Sequence, residues 1–235
     1  MSITVTLMSF NTQHCADFRT GNINYDIMAD AVRSCGADIV GLNEMRGAGT
    51  RADYEAQTEI LADKLGMFSY FAKAIDVEGS NPYGNALLSR YPILEAAVKP
   101  IVNPDPMHCE SRCLLCASLE VGGEPLRVCV THFGLSAPEQ EKAVECALEN
   151  IRETRCVLMG DFNITPDNPM LAPLRSAMFD TASLFDAERL SFPSDAPVKK
   201  IDYLFTSRDI EVLQADIPAL VASDHRPHTA QIRLA

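Results

Sequence analysis

The sequence predicts a layered α/β fold that carries at least one mixed sheet. Eight short apolar runs, each rich in Val, Ile, Leu or Phe and bounded by turn residues, read as strands. Three stretches of helical periodicity are spaced among them. No internal repeat, low-complexity segment or Gly/Ser linker divides the 235 residues, so 1–235 reads as one domain. Strands in that number, with helices interleaved, bury their apolar faces only in stacked layers.

The first strand, Ile3–Phe10, stops at Asn11. Tyr25–Cys35 then sets Ile27, Met28, Ala31, Val32 and Cys35 on one face of a helix. Ile39–Leu42 is the second strand. A helix over Tyr54–Leu65 repeats Ala56, Ile60, Leu61 and Leu65 and ends at Gly66, a natural C-cap. Strands follow at Asn85–Leu88, Leu114–Leu119 and Arg127–Val130. Ser136 and Glu139 form a capping-box signature ahead of the third helix, which runs from Pro138 to about Ile151. Ala143, Val144, Ala147, Leu148 and Ile151 share its apolar face. Cys156–Met159, Tyr203–Phe205 and Thr229–Leu234 complete the strands. Pro92–Glu110 and Asp186–Lys200, rich in Pro, Asp and Ser, read as loops.

A hydrophobic fraction of 47% with 22% charged residues excludes a disordered or fibrous chain. Acidic residues outnumber basic ones by 32 to 20, a net charge of −12 that works against a sequence-blind grip on a polyanion such as DNA. A local basic cleft remains open. The opening Met1-Ser2-Ile3-Thr4-Val5-Thr6-Leu7 lacks the basic flank and long apolar core of a signal peptide. No run reaches the roughly 18–20 apolar residues of a membrane span, and no exposed apolar hairpin stands out as a lipid anchor. The expectation is a cytoplasmic protein with no membrane insertion, no obligatory protein partner and eight reduced thiols.

Chemistry gathers where the strands end. Asn11 follows Leu7-Met8-Ser9-Phe10, Glu44 follows Ile39–Asn43, and His132 follows Val128–Thr131. Asp161 and Asn163 follow Val157–Gly160, Asp202 leads into Tyr203–Phe205, and Asp224-His225 precedes the last strand. Layered α/β folds build their sites at strand ends. Singly, each of these residues is a turn former or a solvated strand end. Together, oxygen-rich side chains and imidazoles suit a divalent ion such as Mg²⁺ or Mn²⁺ with an acid/base pair.

These segments resemble the endonuclease/exonuclease/phosphatase superfamily, whose fold is that of pancreatic deoxyribonuclease I. The resemblance rests on Ser9-Phe10-Asn11, Gly41-Leu42-Asn43-Glu44, Tyr83–Ile93, Val130-Thr131-His132-Phe133, Met159-Gly160-Asp161-Phe162-Asn163, Ile201–Phe205 and Ser223-Asp224-His225-Arg226-Pro227, in the family's order along nearly the whole chain. It implies a four-layer α/β (α+β) sandwich, two mixed sheets flanked by helices. It also implies that Glu44 binds the metal, with Asn11 beside it as a further residue at the metal or phosphate, and that Asp161 orients or deprotonates the attacking water with Asn163 as partner. His225 would contact the scissile phosphate with Asp202 on its other ring nitrogen, and Asp224 would assist the metal or the orientation. His132 places the chain with the relatives that carry a histidine after this strand, as a phosphate ligand or general acid. One departure is Asn43, where the family commonly has Gln; a contact behind the metal ligand is what it alters.

The implied activity is metal-dependent hydrolysis of a phosphoester, foremost a diester, by a metal- and Asp-activated water. DNA or RNA cleavage by the same machinery is one alternative, and a catalytically dead binding module is another; intact Glu44, Asp161, Asp202 and His225 count against the latter. Arg112 is a candidate for the substrate phosphate or an ordinary solvated strand end. Lys199 and Lys200 are expected near the cleft mouth, solvated or substrate-facing. His14, His108 and His228 read as surface or structural. Cys109, Cys113 and Cys116 have the spacing of a radical iron–sulfur motif, but a strand there sets neighbouring thiols on alternate faces. Ser223-Asp224-His225 is no hydrolase triad, because chain neighbours do not form a relay line.

Overall fold

The computed structural model describes residues 2–234, in which two six-stranded sheets pack face to face. The first holds β1 (Ile3–Asn11), β2 (Ile39–Arg46), β3 (Phe68–Val77), β4 (Asn81–Ser89), β11 (Glu211–Asp216) and β12 (His228–Leu234) in the order β11-β12-β1-β2-β4-β3. The second holds β5 (Ile93–Pro100), β6 (Cys113–Val121), β7 (Glu124–His132), β8 (Cys156–Asp161), β9 (Phe179–Asp180) and β10 (Asp202–Thr206) in the order β5-β6-β7-β8-β10-β9. Helices α1 (Tyr25–Ser34) and α2 (Gln57–Leu65) cover the first sheet, and α3 (Ala137–Asn150) and α4 (Ala172–Ala177) cover the second. The expected four-layer sandwich is the observed fold.

Strand periodicity explains how one sequence fills three cores. Leu7, Ile39, Leu87, Val128 and Val157 point between the sheets, while their chain neighbours Met8, Val40, Leu88, Cys129 and Leu158 point under the helices. A strand buried on both faces reads as a continuous apolar run, which is how the central strands look in the sequence. At the centre the sheets come so close that a Cβ on Gly41 would sit 2.6 Å from Met159 Sδ. The same alternation puts Cys113 in the inter-sheet core and Cys116 beneath α3, so the iron–sulfur spacing has no common face. All eight cysteines are free.

Differences from expectation lie at the periphery. Residues 93–100, expected as loop, form strand β5; β3, β9 and β11 were also unforeseen, as was α4. Helix α2 begins at Gln57 rather than Tyr54, since Tyr54 closes a turn onto Arg51 instead of opening the helix. The capping box is present, with the Glu139 carboxylate accepting from Ser136 N at 2.9 Å. Among the described residues no helix is long and apolar enough to cross a membrane.

Candidate active site

Two parallel strand pairs aim their carboxyl ends at one edge of the sandwich. In the first sheet β1 runs parallel to β2, pairing Asn11 with Asn43; in the second β7 runs parallel to β8, pairing His132 with Asp161. The two pairs contact each other across the inter-sheet core, β1 against β8 and β2 against β7. Strand β10 runs antiparallel to β8, so its first residue, Asp202, lies opposite Asp161. His225 arrives from the loop before β12. Strand direction thus brings chemistry-bearing positions of five strands to one edge, and the loop before β12 adds His225.

Local backbone finishes the aim. A bulge between Leu42 and Met45 breaks the β2/β4 register, and Glu44 within it takes a left-handed φ of 61°. Asn163 sits at φ 52°, a conformation that Asn tolerates, with its N–H donating to Asp161 Oδ1 at 2.9 Å. A Cβ on Gly160 would collide with the Thr131 carbonyl, so the strand can reach Asp161 at this spacing only through glycine.

Asp161 Oδ2 is the hub. It accepts from Asn11 Nδ2 at 3.1 Å and lies 3.5 Å from His132 Nε2 and 3.6 Å from His225 Nε2. His225 Nδ1 is 2.8 Å from Asp202 Oδ2, and Asp202 is fully buried. Asn11 Nδ2 also donates to Glu44 Oε1 at 3.1 Å, while its Oδ1 accepts from Gln13 N. Two carboxylates can only accept and a backbone N–H can only donate, so this amide orientation is fixed. Asn11, expected at the metal, instead bridges Glu44 and Asp161 through nitrogen, because its oxygen is taken by the Gln13 N–H. Arg112 Nη1 donates to His132 Nδ1 at 2.9 Å and pairs with Glu110 at 2.8 Å. An arginine never accepts, so Nδ1 carries no hydrogen and Nε2 does.

Burial and charge set the protonation states. Asp161 is pushed up to about 7, first by burial and then by the neighbouring Asp202 charge. Burial opposes charge on His225, but the Asp202 carboxylate, with Asp161 and Asp224, outweighs it and raises the imidazole to about 10. His132 goes the other way: burial, and then the Arg112 charge, hold it well below the ordinary value and keep it neutral. Glu44 is raised by burial against the support of its Asn11 hydrogen bond. Two histidines 3.5–3.6 Å from one oxygen thus carry different charges, His225 positive and His132 neutral.

These groups line a pocket of about 570 Å³ that includes Glu44, Arg112, His132, Asp161, Asn163, Lys199, Asp224 and His225. A larger cavity of about 710 Å³ beside β9 meets none of Glu44, Asp161 or His225, so size does not mark the site. Asp161, Asp202 and His225 each offer a ligand atom within 4.8 Å of one another, a group that could hold a metal ion. His225 Nδ1 is already engaged with Asp202, and its charge repels a cation. Glu44 Oε2, by contrast, has no hydrogen-bond donor among the described residues and faces the pocket with Asp224 nearby. Hard oxygen donors of that kind fit a divalent ion.

The structure gives Asn43, Asn85 and His14 more contacts than the sequence suggested, and it moves Lys200. Asn43 is fully buried and ties the sheets together: Nδ2 donates to Asn85 Oδ1 and Thr131 O, both at 2.8 Å, and Oδ1 accepts from Asp161 N at 3.0 Å. Asn85 continues the link to Cys113 O at 3.0 Å. His14, read as surface or structural, is partly exposed with Nδ1 3.6 Å from Glu44 Oε2; burial, then Arg46, lower it to about 4. Lys199 lines the pocket as expected, but Lys200 does not reach the mouth. Its Nζ lies buried 3.2 Å above the Tyr203 ring and donates to Asp202 O at 3.0 Å. His228 is structural, buried between Thr181 and Asp202 O, and His108 is exposed against Asp105.

A sequence profile of the Endonuclease/Exonuclease/phosphatase family matches residues 8–225. The chain belongs to this family. Endonucleases, exonucleases and phosphatases all hydrolyse phosphoester bonds, and the strand-edge site holds groups suited to that chemistry. Among relatives in the family's range, the uncharacterised protein YbhP of Escherichia coli (strain K12) is 27% identical over 227 residues, covering 88% of this chain and 87% of YbhP. The fold matches an endonuclease/exonuclease/phosphatase from Beutenbergia cavernae with a TM-score of 0.81 at 21% identity, over 99% of this chain and 72% of that one. It also matches a Bacteroides thetaiotaomicron mannosyl-6-phosphatase with a TM-score of 0.78 at 15% identity, over 97% and 99%.

Proposed function

We propose that the protein is a divalent-metal-dependent phosphoesterase that hydrolyses a compact phosphodiester. One observation carries the reading: a carboxylate near neutrality, Asp161, has a charged and a neutral imidazole on the same oxygen at 3.6 and 3.5 Å, beside Glu44 in an open pocket. A phosphodiester is anionic and resists nucleophiles, so its hydrolysis needs a proton acceptor for water and positive charge for the oxygens. Asp161 takes the proton of the attacking water. His225, charged and held by Asp202, binds a phosphoryl oxygen and returns a proton to the leaving one. His132, neutral, donates from Nε2 as a phosphate ligand and not as the acid. Arg112 and Asn163 complete that wall. Glu44 with Asp224 would hold Mg²⁺ or Mn²⁺, while Asn11 positions Glu44 and Asp161. The ion, when bound, supplies Lewis-acid neutralisation of the phosphoryl group.

Charge favours a compact substrate over a long polynucleotide. The net charge is −12, and the cationic side chains on the pocket wall besides His225 are Arg112, already paired with Glu110, and Lys199. A polyanion track needs more. Free thiols throughout fit a cytoplasmic setting.

The test is a metal-supplemented screen of bis-p-nitrophenyl phosphate, p-nitrophenyl phosphate, sugar phosphates, plasmid DNA and RNA. Diester cleavage that EDTA abolishes and Mg²⁺ or Mn²⁺ restores is the expected result; full activity after exhaustive chelation overturns it. Calorimetric titration of Glu44→Gln should show weakened metal binding, and unchanged affinity removes Glu44 as a ligand. The pH profile has a defined sign. Asp161 must be ionised, which holds above about 7, and His225 must be charged, which holds below about 10. The kcat/KM curve should therefore be a bell between those limits, its acid limb moving lower once a cation sits beside Glu44. A flat profile from pH 5 to 11 would contradict both assignments.

A further inference from the structure

We propose that His14 is a further protein ligand, beside Glu44 and Asp224, of the divalent ion, and that this nitrogen donor tilts the site toward Mn²⁺ over Mg²⁺. The inference rests on the reading of Glu44 as metal ligand. The short turn Gln13–Cys15 that follows β1 carries three consecutive residues at positive φ, 48°, 48° and 62°. Buried contacts hold it there: Gln57, itself fully buried, donates from Nε2 to His14 O at 2.8 Å, and Cys15 is packed in the core. The product of this backbone is an imidazole turned toward Glu44. His14 Nδ1 is buried, has no hydrogen-bond partner, and stands 3.6 Å from Glu44 Oε2, which also has none.

That spacing is too long for a hydrogen bond and fits two ligands of one ion. Donors about 2.1 Å from a shared octahedral centre lie roughly 3 Å apart at right angles, and farther apart as the angle opens. The nearby Arg46 guanidinium does not compete for Glu44, since Arg46 pairs with Asp53 at 2.9 Å and stacks on Tyr54. Mg²⁺ is a hard ion that keeps oxygen donors and sheds water reluctantly, whereas Mn²⁺, softer and less firmly hydrated, tolerates one imidazole among oxygen ligands better. The positions left by Glu44, Asp224 and His14 would fall to water and substrate oxygen.

Electron spin echo of the Mn²⁺-loaded protein reads the nitrogen directly. Wild type should show ¹⁴N modulation from one imidazole. His14→Asn, whose side chain tolerates positive φ, should lose that modulation and bind Mn²⁺ ~10–100-fold more weakly, at least the range for residues that merely support a ligand. Its Mg²⁺ affinity should change less. His14→Asp, equally suited to the turn, should also lose the modulation and shift preference toward Mg²⁺. Absence of ¹⁴N modulation in wild type, or its persistence in both variants, overturns the inference while leaving Glu44 in place. If Glu44→Gln leaves Mn²⁺ affinity unchanged, the underlying metal site falls, and His14 with it.

Discussion

Asp202→Asn should lower kcat by ~10²–10⁴-fold, the scale of a disrupted acid/base element, while the protein stays folded. Asp202 is fully buried and its Oδ2 lies 2.8 Å from His225 Nδ1. The substitution keeps shape and removes the charge that holds the imidazolium. His225 then loses its main support against burial, so its value drops from about 10 toward or below the free reference of ~6.5, and the alkaline limb of the pH profile moves down with it. His225→Ala should cost a similar factor. The double variant should lose little more, because a residue that acts only through another has nothing left to do once that partner is gone. If Asp202 only anchors the start of β10, through Ser191 Oγ at its N–H and Lys200 at its carbonyl, turnover per folded molecule should stay within a few-fold of wild type. That outcome would leave the dyad without support.

What the sequence makes legible follows from how each element is buried. The eight anticipated strands are interior ones; most are covered on both faces and therefore written as apolar runs, while β12 alternates buried and exposed residues. The four that escaped notice, β3, β5, β9 and β11, are the outermost strands of the two sheets. An edge strand meets water along one side and carries charges such as Lys73, Glu95, Lys99 and Glu211, which blur its period. At the site, residues that end strands in a recognisable order are legible directly, which is why Glu44, Asp161, Asp202 and His225 stand out in the sequence. His14 does not, because its approach to Glu44 depends on three left-handed residues that no periodicity encodes. Nor do the different charge states of His132 and His225, which arise from burial with Arg112 beside the one and from Asp202 beside the other.

Asn43→Ala should be among the most destabilising single changes near the site, by ~3–5 kcal/mol. Three hydrogen bonds of 2.8–3.0 Å run from this one fully buried amide to Asn85, Thr131 and Asp161. Alanine leaves their groups unsatisfied, each costing ~1–3 kcal/mol, and opens a void between the sheets. For a chain of this length that corresponds to a fall in Tm of ~6–20 °C. Activity should fall too, by ~10–100-fold in the fraction still folded, since the Asp161 N–H anchored by Asn43 fixes the hub carboxylate and sub-ångström placement governs proton transfer. Asn43→Gln, which restores the amide common in the family, keeps donors and acceptor but forces one methylene into a closed gap; it should lose ~1–3 kcal/mol and most of the activity penalty should disappear. Thermal melts and turnover on the two variants separate the terms. An alanine variant that melts within 2 °C of wild type with normal kcat would mean that the sheets are held in register by packing alone, at Gly41 against Met159, and that the amide bridge contributes neither stability nor aim.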